Sequence, residues 1–191
     1  VGKCKKINFY IADFETSGDI NEGMFVWLWG ITDRKTSFFK HGNDLDSFIE
    51  YTSMLSGKKP KIYFHNLRYD GSYMIVWLLS NGYTHVDEIT GDNQFTTIIT
   101  ENGLFYEIKY TIKDKTVVVH DSLKKIPIAL RYMSSAYGLS IDKLDMSYEK
   151  RPRGYVATAD EIEYQKNDVF VPAQVLDIQY TQGLTKMTSS S

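Results

Sequence analysis

Carboxylates recur at three places along this chain, and carboxylates grouped on one surface are ligands for divalent cations. Asp13 and Glu15 flank Phe14 at the end of an apolar run, residues 7–14. Side chains alternate along a strand, so the two acids point to one face while Phe14 points to the other. Two carboxylates on one face are costly unless a cation neutralises them. Such a pair also occurs by chance on protein surfaces, so it is weak evidence by itself.

Two further acids lie near predicted helices. Asp70 follows a buried-looking strand, residues 61–64, and precedes a predicted helix over residues 71–80. It would either cap that helix or point a third carboxylate into the same cleft. Asp168 follows Tyr164 by four residues in the last predicted helix, so the two side chains share a face. Aspartate is unfavourable inside a helix, which indicates another reason for its presence.

The elements that must position these acids form a mixed pattern of strands and helices. The predicted strands are residues 7–14, 24–31, 36–39, 61–64, 96–100, 104–112 and 116–120. The predicted helices are residues 44–55, 71–80, 126–137 and 158–180, and either Asn43 or Asp44 could cap the first of them. Asn102-Gly103 predicts a hairpin turn, Thr158 with Glu161 predicts a capping box, and Pro172 predicts a kink after Asp168. We therefore expect one α/β (α+β) domain with a mixed sheet over residues 1–188 and a short tail over 189–191.

Composition excludes several classes of protein. Apolar residues make up 42% and charged residues 24% of the 191 residues, which excludes wholesale disorder. A single cysteine, Cys4, excludes an intramolecular disulfide and a cysteine-rich zinc site. No apolar run is long enough to cross a bilayer and no secretory signal is visible, so we expect a cytoplasmic chain without a membrane partner. The net charge of −2 does not indicate a nucleic-acid partner, although acids that hold metal would mask basic residues elsewhere.

Aromatic and basic residues each allow two interpretations. Aromatic residues make up 14% of the chain; they could form a strand-rich core with tyrosines at its rim, or stacking surfaces for bases. Five of the 22 lysines and arginines cluster in two short segments and could be a solvated face or a track for phosphates. These residues are Lys124, Lys125, Lys150, Arg151 and Arg153.

Several segments occur in the order of the exonuclease motifs of proofreading DNA polymerases. The three motifs are Asp13-Phe-Glu15-Thr16, His65-Asn66-Leu-Arg-Tyr69-Asp70-Gly and Tyr164-x-x-x-Asp168. With them the chain resembles the DEDDy exonucleases, whose fold is ribonuclease H-like. It is more specifically similar to the protein-primed family B DNA polymerases of the φ29 type, also through residues 121–125, 149–155 and 182–188. The resemblance covers residues 10–188.

The resemblance implies a 3′→5′ exonuclease that acts on single-stranded DNA ends and releases 5′ nucleoside monophosphates. It implies two divalent cations, Mg²⁺ or Mn²⁺, held by Asp13, Glu15, Asp70 and Asp168. Tyr164 would orient the attacking water, and Lys143 resembles the auxiliary catalytic lysine of the family. The residues implied to hold the single-stranded 3′ end or the terminal protein are Thr16, His65, Asn66, Tyr69, Ser122, Leu123 and Tyr148. Where the family more often has phenylalanine, Tyr69 adds a hydroxyl to the stacking face.

Alternatives remain open for some of these residues. His65 and Asn66 could satisfy backbone groups of their own loop, and Ser122 could cap a following helix. Relatives that use histidine place it five residues before the last aspartate, where this chain has Glu163, which favours the tyrosine type over an oligoribonuclease-like enzyme.

The sequence lacks the polymerase motifs of the family, Tyr-x-Asp-Thr-Asp and Ser-Leu-Tyr-Pro. We therefore expect an exonuclease domain without the polymerase domain. Its expected partners are a DNA 3′ end, the remainder of the polymerase polypeptide and the terminal protein, in the host cytoplasm if a phage encodes it. The alternative function is a module that binds single-stranded DNA or terminal protein and hydrolyses little by itself.

Overall fold

A mixed β-sheet forms the centre of the computed structural model, which describes residues 8–19, 21, 23–147 and 149–186. Its strands are β1 (Tyr10–Asp19), β2 (Gly23–Asp33), β3 (Lys40–Gly42), β4 (Lys61–Phe64), β5 (Thr84–His85), β6 (Gln94–Ile99), β7 (Phe105–Ile112) and β8 (Lys115–Asp121). Their order across the sheet is β3-β2-β1-β4-β8-β7-β6-β5. The central strands β1, β4 and β8 are parallel, and antiparallel strands extend the sheet on both sides. The predicted mixed sheet is thus confirmed.

Helices cover both faces of this sheet. They are α1 (Leu45–Thr52), α2 (Leu67–Ser80), α3 (Leu130–Tyr137) and α4 (Ala159–Thr181). Phe48 of α1 and Met74 of α2 pack into one buried cluster with Phe14. Met133 of α3 and Val169 of α4 pack into a second cluster on the opposite face. Burial of apolar side chains on both faces holds the central parallel strands in the interior, as parallel sheets require.

Several helix ends agree with their sequence signals. Asp44 begins α1 by accepting a hydrogen bond from the N–H of Ser47 at 2.6 Å. Thr158 and Glu161 form the predicted capping box at the start of α4. Gly138 ends α3 in the left-handed conformation, with φ of 63°. Pro172 lies inside α4, which continues as one helix through this residue. The predicted kink at this position stays a prediction.

The predicted end of the first strand at residue 14 was wrong, because β1 continues to Asp19 and therefore holds Asp13 and Glu15 inside the strand. Other predicted boundaries were wrong for local reasons. Residues 36–39 are not a strand, because Asp33 accepts hydrogen bonds from the N–H and hydroxyl of Ser37 and closes a turn there. The second helix begins at Leu67, four residues earlier than predicted, so Asp70 lies inside its first turn. The third begins at Leu130, because Pro127 lacks an N–H and disfavours helical geometry at the residue before it.

Close contact between α4 and the sheet depends on Gly30 of β2. A Cβ atom at this position would lie 2.8 Å from Cγ of Gln165, which is too close. Glycine therefore lets α4 cross directly over β1 and β2, where the acids of β1 point. Among the described residues, no helix combines the length and the apolar character needed to cross a membrane.

Candidate active site

Three carboxylates from two elements converge where α4 crosses β1. Asp13 and Glu15 come from β1 and Asp168 from α4, and each offers a ligand oxygen within 4.8 Å of the others. The strand alternation predicted for Asp13 and Glu15 is therefore observed up to Glu15, after which a bulge shifts the register between β1 and β2. Tyr164 lies one helical turn before Asp168 and is buried beside it.

A fourth carboxylate enters the same site from the other side of the sheet. Asp70, in the first turn of α2, is only 3% exposed. It does not act as the N-cap, which is Asn66. Asp70 lines a pocket of about 270 Å³ together with the other three acids, Asp13, Glu15 and Asp168. The parallel strands β1 and β4 bring these sequence-distant residues together.

Burial and mutual repulsion make the ionised acids unfavourable. Burial raises the pKa of Asp13 well above its ordinary value, and the charges of Asp70 and Asp168 add to this effect. Burial raises the pKa of Glu15 from 4.5 to about 7, with a further contribution from Asp168. Within the described residues, one buried oxygen of Asp70 and one of Asp168 have no hydrogen-bond partner. Clustered carboxylate oxygens with unused lone pairs fit hard divalent cations such as Mg²⁺ or Mn²⁺.

Lys143 is the cation that the protein itself brings to this cluster. Its Nζ contacts a carboxylate oxygen of Asp168, donates to Oη of Tyr164 at 2.7 Å and lies 4.5 Å from the centre of that ring. Burial raises the pKa of Asp168, while Lys143 and Tyr164 partly offset this effect. The loop holds Lys143 against α4 through Asn167, whose amide donates to the carbonyl of Asp142 at 2.8 Å.

An aromatic surface borders the acids on the side of α2. Tyr69 is 51% exposed and lines the same pocket. Its hydroxyl lies 2.6 Å from that of Thr16, and this contact ties α2 to β1. The ring of Tyr73 lies 5.8 Å from that of Tyr69, centre to centre. These rings offer the kind of face on which bases stack.

His65 and Ser122 bond to each other and to backbone carbonyls. Nε2 of His65 lies 2.9 Å from the carbonyl oxygen of Ile128, and Nδ1 lies 3.0 Å from Oγ of Ser122. Burial lowers the pKa of His65, so the ring is held neutral. The hydroxyl of Ser122 also lies 3.1 Å from the carbonyl oxygen of Phe64. The expectation that His65 satisfies backbone groups of its own loop is wrong, because both of its partners, Ser122 and Ile128, belong to the segment that follows β8.

The remaining strand-binding candidates differ in their position. Asn66 is exposed at the pocket, with φ of 72°, and its side chain makes no capping bond to α2. Ser122 does not cap a helix, because Asp121 accepts from the N–H of Leu123 at 2.9 Å and begins the 3₁₀ turn Ser122–Lys124. Leu123 does not line the pocket of the acids. Tyr148 lies outside the described residues.

Gln165 is a site residue that the sequence reasoning missed. Its amide donates to the carbonyl of Asp13 at 2.7 Å and reaches the carboxylate of Asp13 at 3.3 Å. It is fully buried, and its oxygen has no hydrogen-bond partner among the described residues. A polar residue next to Tyr164 on a helix that covers a sheet was the available signal.

The basic residues proved to be divided. Arg151 and Lys125 are buried. Neither interpretation of the basic segments, a solvated face or a track for phosphates, is therefore correct for these two residues. Lys125 donates to the carbonyl of Leu184 at 2.9 Å. Arg153 packs against the ring of Phe25, whose centre lies 4.4 Å from its Cζ atom.

Comparison with known proteins places this arrangement in a family. A family model described as DNA polymerase type B, organellar and viral, matches residues 52–168. The DNA polymerase of Bacillus phage PZA is 38% identical over 190 residues, which is 95% of this chain and 32% of that protein. The DNA polymerase of Bacillus phage phi29 is 37% identical over the same length, and that of Streptococcus phage Cp-1 is 28% identical over 196 residues.

Solved structures agree with this match. The phi29 DNA polymerase complexed with single-stranded DNA superposes with a TM-score of 0.86 at 33% identity, over 95% of this chain and 33% of that one. The same polymerase complexed with primer-template DNA gives a TM-score of 0.85 at 34% identity. The ribonuclease H-like fold that the resemblance implied is thereby confirmed. The chain belongs to the organellar and viral type B DNA polymerases, among the relatives of the φ29 phage enzyme, and spans about a third of their length.

Proposed function

We propose that residues 1–188 form the 3′→5′ exonuclease domain of a φ29-type DNA polymerase. One observation carries the proposal: ligand oxygens of Asp13, Glu15 and Asp168 lie within 4.8 Å of one another in a chain related to DNA polymerases. A relative bound to single-stranded DNA supports a single strand as the substrate. The proposed partners are a DNA 3′ end, the rest of the polymerase polypeptide and the terminal protein, in the cytoplasm of the host.

The four acids would hold two divalent cations, Mg²⁺ or Mn²⁺. A pair of such cations supplies an activated water and stabilises the charge on the leaving 3′ oxygen. Asp13 would help to hold both cations, because it lines the same pocket as Asp70 and Asp168. Glu15 and Asp168 would hold the cation on the side of the nucleophile, and Asp70 would act on the other one mainly through water.

Tyr164 and Lys143 would position the attacking water. The phenol oxygen accepts a hydrogen bond from Nζ of Lys143 at 2.7 Å, and the hydroxyl also bonds to Asp168. These two contacts fix the hydroxyl and leave an acceptor site on its oxygen for a proton of the water. The product of water attack on the terminal phosphodiester would be a 5′ nucleoside monophosphate.

The strand would enter along the exposed rings of α2. Stacking on Tyr69 does not depend on base identity, and Thr16 fixes the orientation of that ring through its hydroxyl. A mispaired end would be degraded faster than a paired one, because less pairing energy is lost when it frays.

Digestion of a 5′-labelled single-stranded oligonucleotide with Mg²⁺ or Mn²⁺ tests the proposal. We expect a ladder that shortens from the 3′ end, and no ladder with EDTA or with the variant Asp13→Ala/Glu15→Ala. The variant Asp87→Ala/Glu88→Ala removes two exposed acids and the same charge, so it should cleave like the wild type.

A wild type that does not cleave, or a double variant at the cluster that cleaves normally, would contradict the assignment. If the wild type retards the oligonucleotide in a gel without shortening it, the domain is instead the binding module.

A further inference from the structure

The loop between Lys143 and α4 contains a buried arginine that neither metal chemistry nor phosphate binding explains. Arg151 is 9% exposed, and Nε and Nη2 donate to one carboxylate oxygen of Glu161 at 3.0 and 2.7 Å. Its guanidinium carbon lies 5.3 Å from the ring centres of both Trp27 and Tyr155. The other oxygen of Glu161 accepts from the hydroxyl of Tyr155 at 3.0 Å. A charge pair that is buried, stacked and hydrogen-bonded on this scale fixes geometry more than it adds stability.

The same guanidinium also holds the backbone of its own loop. Nη1 donates to the carbonyl of Glu149 at 2.7 Å, and Nη2 reaches the carbonyl of Ser147 at 3.4 Å. These two residues flank Tyr148 in the sequence. The N–H of Arg151 donates to Oγ of Ser17 at 2.8 Å, which ties the loop to β1 two residues beyond Glu15.

The segment fixed in this way forms a wall next to the acids. Ser147, Glu149 and Lys150 line a pocket of about 180 Å³ together with Glu15 and Thr16 of β1. Glu15 and Thr16 also line the pocket of the four acids, so the two pockets adjoin. The wall therefore borders the acids on the side of Thr16, whose hydroxyl also contacts that of Tyr69.

We propose that Arg151, fixed by Glu161, is a positioning residue that holds Ser147, Glu149 and Lys150 as one wall of the strand-binding cleft. The proposal rests on the exonuclease function proposed above. The guanidinium of Arg151 contacts Glu161 and the backbone of its own loop, and it lies outside the cluster of acids. It fixes the backbone of the wall, so its loss should weaken binding of the strand and leave the chemical step at the acids intact.

The variant Arg151→Lys tests this assignment. Lysine keeps the charge but lacks the planar fork, so it cannot bond Glu161 and two carbonyls at once. We expect the KM for a single-stranded oligonucleotide to rise about tenfold, while kcat stays within about threefold of the wild type. We also expect faster amide hydrogen exchange at residues 147 and 149–151.

Arg34→Lys is the matched control. Arg34 is also paired with an acid of α4, Asp177 at 2.5 Å, and also lies over two aromatic rings, but its partner is nine residues beyond Asp168. It should lose stability like Arg151→Lys and keep the KM of the wild type. An unchanged KM in Arg151→Lys, or an equal rise in Arg34→Lys, would overturn the proposal.

A second variant covers the case in which Arg151→Lys does not fold. Ser17→Ala removes the acceptor for the N–H of Arg151 and should raise KM in the same direction, by a smaller factor. An unchanged KM there would also overturn the proposal. A wild type without exonuclease activity would refute the proposed function instead. Normal exchange protection of residues 147 and 149–151 in both variants would refute the positioning role independently of activity.

Discussion

Without metal and at neutral pH, we expect the wild-type protein to be less stable than the variant Glu15→Gln. Burial, then the charge of Asp168, raises the pKa of Glu15 from 4.5 to about 7. Between these two values the folded state binds more protons than the unfolded state, so the stabilising effect of the protonated group is lost as pH rises through this window. Each unit by which the pKa is displaced corresponds to about 1.4 kcal/mol. The ionised Glu15 therefore lowers the free energy of unfolding by about 3 kcal/mol at pH 8 and by less than about 1 kcal/mol at pH 5.

Glu15→Gln removes this titration without removing the side chain. With EDTA present, we expect the variant to exceed the wild type in free energy of unfolding by about 3 kcal/mol at pH 8. With an m-value of about 2 kcal/mol/M, its urea midpoint should rise by about 1.5 M. Glu88→Gln, at an exposed position, should show no such gain. On addition of Mn²⁺ the difference in stability between the variant and the wild type should become smaller, because the wild type gains more stability from the cation than the variant does.

An advantage of Glu15→Gln that is the same at pH 5 and pH 8 would refute this reasoning, because a difference that does not depend on pH cannot come from titration. An advantage that is absent at pH 8 would show that the carboxylate is solvated better than its burial indicates. Equal stabilisation of both proteins by Mn²⁺ would remove Glu15 from the set of metal ligands.

Three further predictions address single contacts. Tyr164→Phe keeps the ring beneath Lys143 but removes the hydroxyl, so the single-turnover cleavage rate should fall about tenfold to a hundredfold while Mn²⁺ still stabilises the protein, as a thermal melt would show. Burial is the main reason that the pKa of His120 is lowered from 6.5 to about 3, so the wild type should lose stability as pH falls below 6.5. Between pH 7 and pH 5 this loss is about 2 kcal/mol in free energy of unfolding, and urea titrations at the two pH values should show that His120→Phe lacks it. Thr158→Ala removes the N-cap of α4 and should lower the free energy of unfolding by about 1 kcal/mol in the same assay, with a normal KM.

The parts of the fold that the sequence predicted are those fixed by local rules. The capping box at Thr158, the N-cap at Asp44 and the strand Lys61–Phe64 depend on residues next to one another, so their signals are complete in the sequence. The start of α2 was missed because Asn66, in a left-handed conformation, begins it without a side-chain cap. The strand order was not predicted at all, because pairing of β1 with β4 depends on contacts between distant segments.

The acids of the site were found through their types and order, but their supports were not. Gln165 and Arg151 act by reaching Asp13 and the loop backbone, and those contacts join residues far apart or depend on the exact path of a loop. A basic residue in a proline-containing loop looks exposed in the sequence. Only the packing of Trp27 and Tyr155 around the guanidinium shows that Arg151 is buried.

The proposed metal centre and the proposed strand-binding wall share one segment of chain, the loop that leads from α3 to α4. At one end of this loop Lys143 contacts Asp168, and near the other end Arg151 is held by Glu161, one turn before Tyr164 on the same helix. A shift of α4 relative to β1 would therefore move the acids and the wall together. Because Gly30 and Gln165 fix the closeness of α4 to β1, the helix that supplies Asp168 also sets the width of the cleft. The position of α4 would thus determine both the site at which the phosphate reacts and the cleft that binds the strand.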